Sequence, residues 1–135
     1  MNATVGVNPA LPLVGRICMA VLFIVAGVGK LMGFAGTAGY LAKLGFPASE
    51  VMTVIAIIIE LGGGILLVIG WQTRWVAGIM AIFVVIATLA AHRFWDFEGA
   101  QMMAQRLNFL KNLSILGGLL FIAGCGAGSM SLDKK

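Results

Sequence analysis

The chain has 135 residues, of which 61% are apolar and only 10% charged. Soluble domains carry about 25% charged residues, so a chain this poor in charge could not cover a water-facing surface. The composition excludes a cytosolic enzyme, a nucleic-acid binder and a disordered segment, and leaves an integral membrane protein. The net charge of +4 comes from scattered basic residues rather than a patch, which again argues against nucleic acid as a partner. Four spans of about 20 residues each fill most of the length. The whole of 1–135 therefore reads as a single transmembrane domain, all-α, an antiparallel four-helix bundle with no separate soluble part.

At the start of the chain, Met1–Pro12 reads as a short tail. It lacks the basic start of a cleaved signal peptide. The first span is expected at about 13–31, with Arg16 and Lys30 marking its ends and snorkelling to the interfaces. In the first connection, Gly36–Leu44 suits one short interfacial helix, stopped by Gly45 and Pro47. The second span is expected at about 49–69, with Glu60 near its middle and Gly62-Gly63-Gly64 directly after. In lipid the backbone cannot leave hydrogen bonds unmade, so such glycines mean close helix packing rather than a break. Gly70–Trp75 is a tight turn with two interfacial tryptophans.

The third span is expected at about 76–91, closed by His92-Arg93-Phe94-Trp95. Asp96–Leu107 is the most polar connection, and the fourth span is expected at about 108–127, followed by a polar tail. Both termini then share one side, the terminal side; the two long connections lie on the loop side. Arg16, Arg74, Lys134 and Lys135 fall on the former, and Lys30, Lys43, Arg93, Arg106 and Lys111 on the latter. The balance is too even to orient the chain by its positive residues. Apart from the site candidates, these cations read as interface anchors. Cys18 and Cys125 form no CxxC motif. They would meet only if the first and fourth spans touch, and an inert buried role is the simpler expectation.

Intramembrane polar residues are the informative ones. An ionised carboxylate at the bilayer centre costs at least about 2.5–3.5 kcal/mol, so Glu60 must face the interior. Thr53, Ala56, Glu60, Gly63 and Gly64 share one helical face, a small and polar stripe that fits this. Lys30, His92, Arg93 and Trp95 end two spans at the loop side, with Thr88 one turn before His92. Asn108, Lys111 and Asn112 open the fourth span at the spacing of one helical face. The expected result is a polar pocket open to the loop side. Lys111 is the first choice as ion partner for Glu60, and Lys30 the second. Phe34, Tyr40, Phe94, Trp95 and Phe97 would form the rim.

Such a pocket suits an amphipathic ligand, and a quinone would fit. Lys30, Lys111, His92, Asn108 or Asn112 could donate to its carbonyls, and Glu60 or His92 could relay a proton. The alternative is that Glu60 and its partner are structural. No covalent cofactor motif, zinc spacing or other metal-ligand pattern occurs in the sequence, and the Met102-Met103 pair reads as packing.

These motifs, taken together, resemble the DoxX family. The resembling stretches are Val25–Leu31, Ala38–Ala42 with Leu44–Pro47, and Glu60 with Gly62-Gly63. Gly70–Arg74, Ala87–Trp95, Asn108–Leu113 and Ser131–Asp133 complete the order. The HRFW and NFLKNL segments are the most specific. The resemblance implies a four-helix protein of bacterial inner membranes, loosely tied to quinone chemistry and redox homeostasis. It implies subunits of a respiratory or redox complex as partners. Related quinone and thiol oxidoreductases use cysteine pairs, which this chain lacks. Three functions stay open: a redox-associated subunit that holds a quinone, a non-enzymatic assembly subunit, and a small transporter. A homo-oligomer would favour the last.

Overall fold

The computed structural model describes Gly6 and residues 8–134. The first part of the expected N-terminal tail and Lys135 lie outside the described residues. The order is α1 (Ala10–Met32), α2 (Phe34–Lys43), α3 (Ser49–Ile57), a π turn (Ile58–Gly62), α4 (Gly63–Ile69), α5 (Thr73–Ala91), a 3-10 turn (Phe94–Asp96) and α6 (Gly99–Cys125). All the regular structure among the described residues is helical. Four helices are long and apolar enough to cross a membrane: Ala10–Met32, Ser49–Ile69, Thr73–Asp96 and Gly99–Cys125.

A helix lies over each of the four expected spans, with three differences. The fourth helix begins at Gly99, so most of the supposed polar connection is helical. Its 27 residues make it about 40 Å long, against a hydrocarbon thickness of about 30 Å. Its polar first turns can therefore stand outside the hydrocarbon without breaking the helix. The short helix in the first connection starts at Phe34, slightly earlier than expected, and ends at Lys43. The second span contains a π turn centred on Glu60, which nothing in the residue pattern announced.

The core is small because the lipid-facing sides stay exposed. Ala20, Phe23, Leu67, Ala77, Met80, Ala81, Val84 and Leu119 form its buried cluster. The glycines of the second span serve close approach, as expected. A Cβ on Gly64 would lie 2.7 Å from the Ile24 side chain, and one on Gly63 would lie 2.9 Å from Met80 Sδ. The first helix reciprocates, for a Cβ on Gly27 would lie 2.8 Å from Leu61. Any side chain at these positions would push packed helices apart, losing contacts that lipid cannot replace.

At the terminal side the chain ties itself together. Arg16 is 1% exposed, not an interface anchor. Its guanidinium donates to Leu67 O at 2.6 Å, Val68 O at 2.9 Å, Ala127 O at 3.0 Å and Met130 O at 2.5 Å. The first two are carbonyls of the last turn of α4, which have no partner within their own helix. The segment after α6 is not a loose polar tail. Leu132 N–H donates to Ile69 O and Asp133 N–H to Gly70 O. The Asp133 carboxylate accepts from the N–H groups of Gln72 and Thr73, both at 2.8 Å, capping the start of α5. Arg74 donates to the carbonyl of Gly124 at the end of α6. Cys18 and Cys125 are both free and exposed. The expected buried role fails, because each lies on an outward-facing side of its helix.

Candidate functional site

The site is built around Glu60. In a π turn each carbonyl is bonded five residues on rather than four, which adds a residue to the turn and rotates the next stretch of helix. Here the shift accompanies a buried stripe: Thr53, Ala56, Glu60, Gly63 and Gly64 are all buried. Glu60 is 5% exposed. Thr53 closes its own hydroxyl on Ser49 O at 2.7 Å, leaving Glu60 as the charge this helix must satisfy elsewhere.

Its partner is Lys30, not Lys111. Lys30 Nζ donates to both carboxylate oxygens of Glu60, at 3.0 and 2.9 Å. Lys111 is exposed and makes no ion pair with a described residue. The reason is helix phase. Asn112 faces inward, donating from Nδ2 to Thr88 Oγ1 at 2.9 Å, and Leu119 is buried seven residues further on. A residue adjacent to Asn112 is turned about 100° away, which points Lys111 outward. The spacing alone left that choice between neighbours open.

Beside the ion pair lies a cavity of about 590 Å3. Its walls come from α1, α2, α3, the π turn and α5, with Asn112 and Ile115 from α6. Most of the lining is apolar, including Phe23, Leu41, Phe46, Ile55, Ile59 and Phe83, together with Ala56, Ala87, Ala90 and Ala91. The alanines explain the space: small side chains on helices that do not close leave volume. The polar lining is Lys30, Thr37, Tyr40, Glu60, His92 and Asn112.

Of the expected site residues, Lys30, Glu60, His92 and Asn112 line the cavity. Arg93, Trp95, Asn108 and Lys111 do not. Arg93 pairs with Asp96 at 3.3 Å in solvent. Trp95 packs edge-on with Phe94 and Phe109, its ring centroid 5.2 Å from that of Phe94. The expected aromatic rim therefore splits. Tyr40 lines the cavity and Phe34, Phe94, Trp95 and Phe97 do not, while Phe46 does.

One residue escaped the sequence reading. Gln105 Oε1 accepts from His92 Nδ1 at 2.7 Å. An amide oxygen only accepts, so Nδ1 is the donor in this hydrogen bond, and in a neutral ring Nε2 is then the acceptor. Gln105 lies seven residues before Asn112, a spacing that marks one helix face and could have singled it out. Thr88 takes a more definite part than its place near His92 indicated. It donates to Val84 O at 2.6 Å and accepts from Asn112, so its hydroxyl ties α5 to α6.

Comparison with known proteins agrees with this architecture. The DoxX family model matches residues 11–93, which contain Lys30, Glu60 and His92. Inner membrane protein YphA of Escherichia coli is 37% identical over 95% of this chain and 91% of its own length. Inner membrane protein YqjF of the same organism is 39% identical over 90% of this chain and 88% of its own. A Surfeit locus protein 4 homolog of Schizosaccharomyces pombe is 29% identical over 72% of this chain, but over only 32% of its own length. No solved structure matches. Four helices able to span a membrane, the extent of the family match and similarity to two inner membrane proteins over most of their length lead to one conclusion: this chain is a multi-pass inner membrane protein of the DoxX family.

Proposed function

We propose that the cavity beside Lys30 and Glu60 holds an amphipathic ligand of the quinone class, and that the protein serves as a redox-associated subunit of a membrane complex. The observation that carries this reading is the placement of a charged pair, 2.9 Å apart, in the wall of a mostly apolar cavity of about 590 Å3. That volume is in the range of small-molecule sites, which combine apolar walls with a few placed polar groups. Lys30 keeps an N–H donor beyond the two it gives Glu60, and the Tyr40 hydroxyl makes no hydrogen bond to a described residue. Either can donate to a quinone carbonyl. His92 Nε2 and Glu60 can accept a proton from the reduced form.

The chain supplies no redox centre of its own in this reading. Electrons would pass between the bound quinone and a partner subunit. The test is extraction of the purified protein for quinone, followed by titration with a short-chain quinone. Co-purified quinone, and an affinity weakened by Glu60→Gln, are the expected results. A protein without quinone, and without affinity in either form, would sink the reading.

A second reading rests on the same pair. Lys30 and Glu60 join α1 to the π turn, as a purely structural tie in an assembly subunit would. It predicts that Glu60→Gln restores much of the stability lost in Lys30→Met while ligand titrations stay flat in every form.

A further inference from the structure

The cavity has a side as well as an end. Along the second span, α5 packs against α4 and the π turn rather than against α3. On the loop side of Glu60, α3 and α5 do not pack together, and the cavity lining they contribute includes the small residues Ala56 on α3 and Ala87 and Ala90 on α5 beside Ile55 and Phe83. The cavity lining continues to Ile79, Ile82 and Ile86, which are 52%, 64% and 53% exposed. Ile82 lies nine residues from the end of α5, about 14 Å down a helix that spans the membrane. Exposed isoleucine at that depth faces hydrocarbon, not water. The cavity mouth is therefore bordered by lipid-facing side chains in the middle of the bilayer. Tyr40 lies on α2 in the first connection and His92 just past the loop-side end of α5, both further toward the loop side than Ile82.

From this geometry we infer that the cavity is entered sideways, from the hydrocarbon through the gap between α3 and α5, by a membrane-dissolved amphiphile. Its head carries acceptor oxygens. The head travels toward the spare N–H of Lys30 and the Tyr40 hydroxyl, while the apolar tail remains in the gap against Ile82 and Ile86. An entrant from water would have to pass its tail across the polar wall; an entrant from lipid keeps it in hydrocarbon throughout. The ligand class rests on the quinone reading, but the route does not, because it derives from the helix positions, the cavity lining and the exposure of its isoleucines.

The test is photolabelling of the full-length protein in vesicles, with residues mapped by mass spectrometry. One probe is a membrane-dissolved aryl diazirine, and the other a charged diazirine confined to water. The expected result is carbene insertion from the lipid probe at Ala56, Ile59 and Ala87 as well as at Ile82. In Ala87→Phe, which fills the gap, labelling at Ala56 and Ile59 is lost while Ile82 remains labelled; Ala56→Phe serves the same purpose if the first variant does not fold. Labelling confined to Ile82 and Ile86, or labelling of the inner set by the water-confined probe alone, overturns the route. Labelling at Ala56 that persists in a folded Ala87→Phe also overturns it. Inner labelling by the lipid probe in a protein that fails the quinone titration would uphold the route and remove the quinone reading, so the two fail separately.

Discussion

Helix α1 carries one cation near each end, and the two lead opposite lives. Arg16 at the terminal side uses four of the five N–H donors of a guanidinium, on carbonyls from α4 and from the segment after α6. Lys30 at the loop side has one partner, Glu60, and is 29% exposed beside the cavity. A cation with its donors committed is a fastener, because little is left for anything else. A cation with a donor to spare, next to unfilled volume, can still bind. The terminal end of the molecule is thus closed and the loop end is open, and stability should concentrate at the first and ligand binding at the second.

The sharpest way to break this contrast is at Arg16. Arg16→Ala leaves the last-turn carbonyls of α4 and the carbonyls of Ala127 and Met130 without their donor. Unmade buried hydrogen bonds cost about 1–3 kcal/mol each. The variant should therefore lose on the order of 4 kcal/mol or fail to accumulate folded protein. Thermal unfolding in detergent micelles measures it. A melt like that of the wild type would mean the latch is not holding the helices.

Lys30→Met comes next. It leaves one carboxylate unpaired within the membrane, at a cost of about 3 kcal/mol. Lys30→Met with Glu60→Gln should recover more than half of that loss, because an amide needs no counter-charge. The same micelle melts read both, and the double-mutant cycle gives the coupling. A loss larger than that of Arg16→Ala would reverse the assignment of the two ends.

Asp133→Ala should be milder again. It removes the acceptor for two N–H groups at the start of α5, and cap losses run at about 1–2 kcal/mol. Hydrogen exchange at Gln72 and Thr73 would rise, while exchange at the loop end stays as it was.

The helices were readable because composition, length and the placement of charges all argue for the same spans. Lipid exposure makes the apolar runs long, although it does not mark where a helix continues beyond the hydrocarbon, as α6 does from Gly99. Glu60 was readable for a related reason: a carboxylate in hydrocarbon has few places to point. The latch was not readable. Arg16 sits near a helix end, where a snorkelling role is the ordinary one, and its acceptors are backbone carbonyls that every sequence possesses. Asp133 looked like part of a polar tail because a cap is recognised by its position in space. The π turn has no residue signature, so the phase change it introduces could not be anticipated. The choice of Lys111 over Lys30 failed on rotation about the axis of α6, where adjacent residues compete for one inward position.

The rotation of α6 also yields the finest test, because it sets two neighbours against each other. Asn112 is held by Thr88 at 2.9 Å and lines the cavity. Asn112→Leu removes an interhelical hydrogen bond of the kind that contributes about 0.6 kcal/mol within membranes. It also places a branched side chain against the cavity wall, so ligand titrations should weaken along with the small stability loss. Lys111→Met removes a full charge, yet should change stability by less than about 0.5 kcal/mol, as exposed positions do. Ligand affinity should not move either. If charge count governed this end of the molecule, Lys111 would matter more than Asn112. If orientation governs it, the neutral residue outweighs the charged one, and paired micelle melts with quinone titrations on the two variants decide between them.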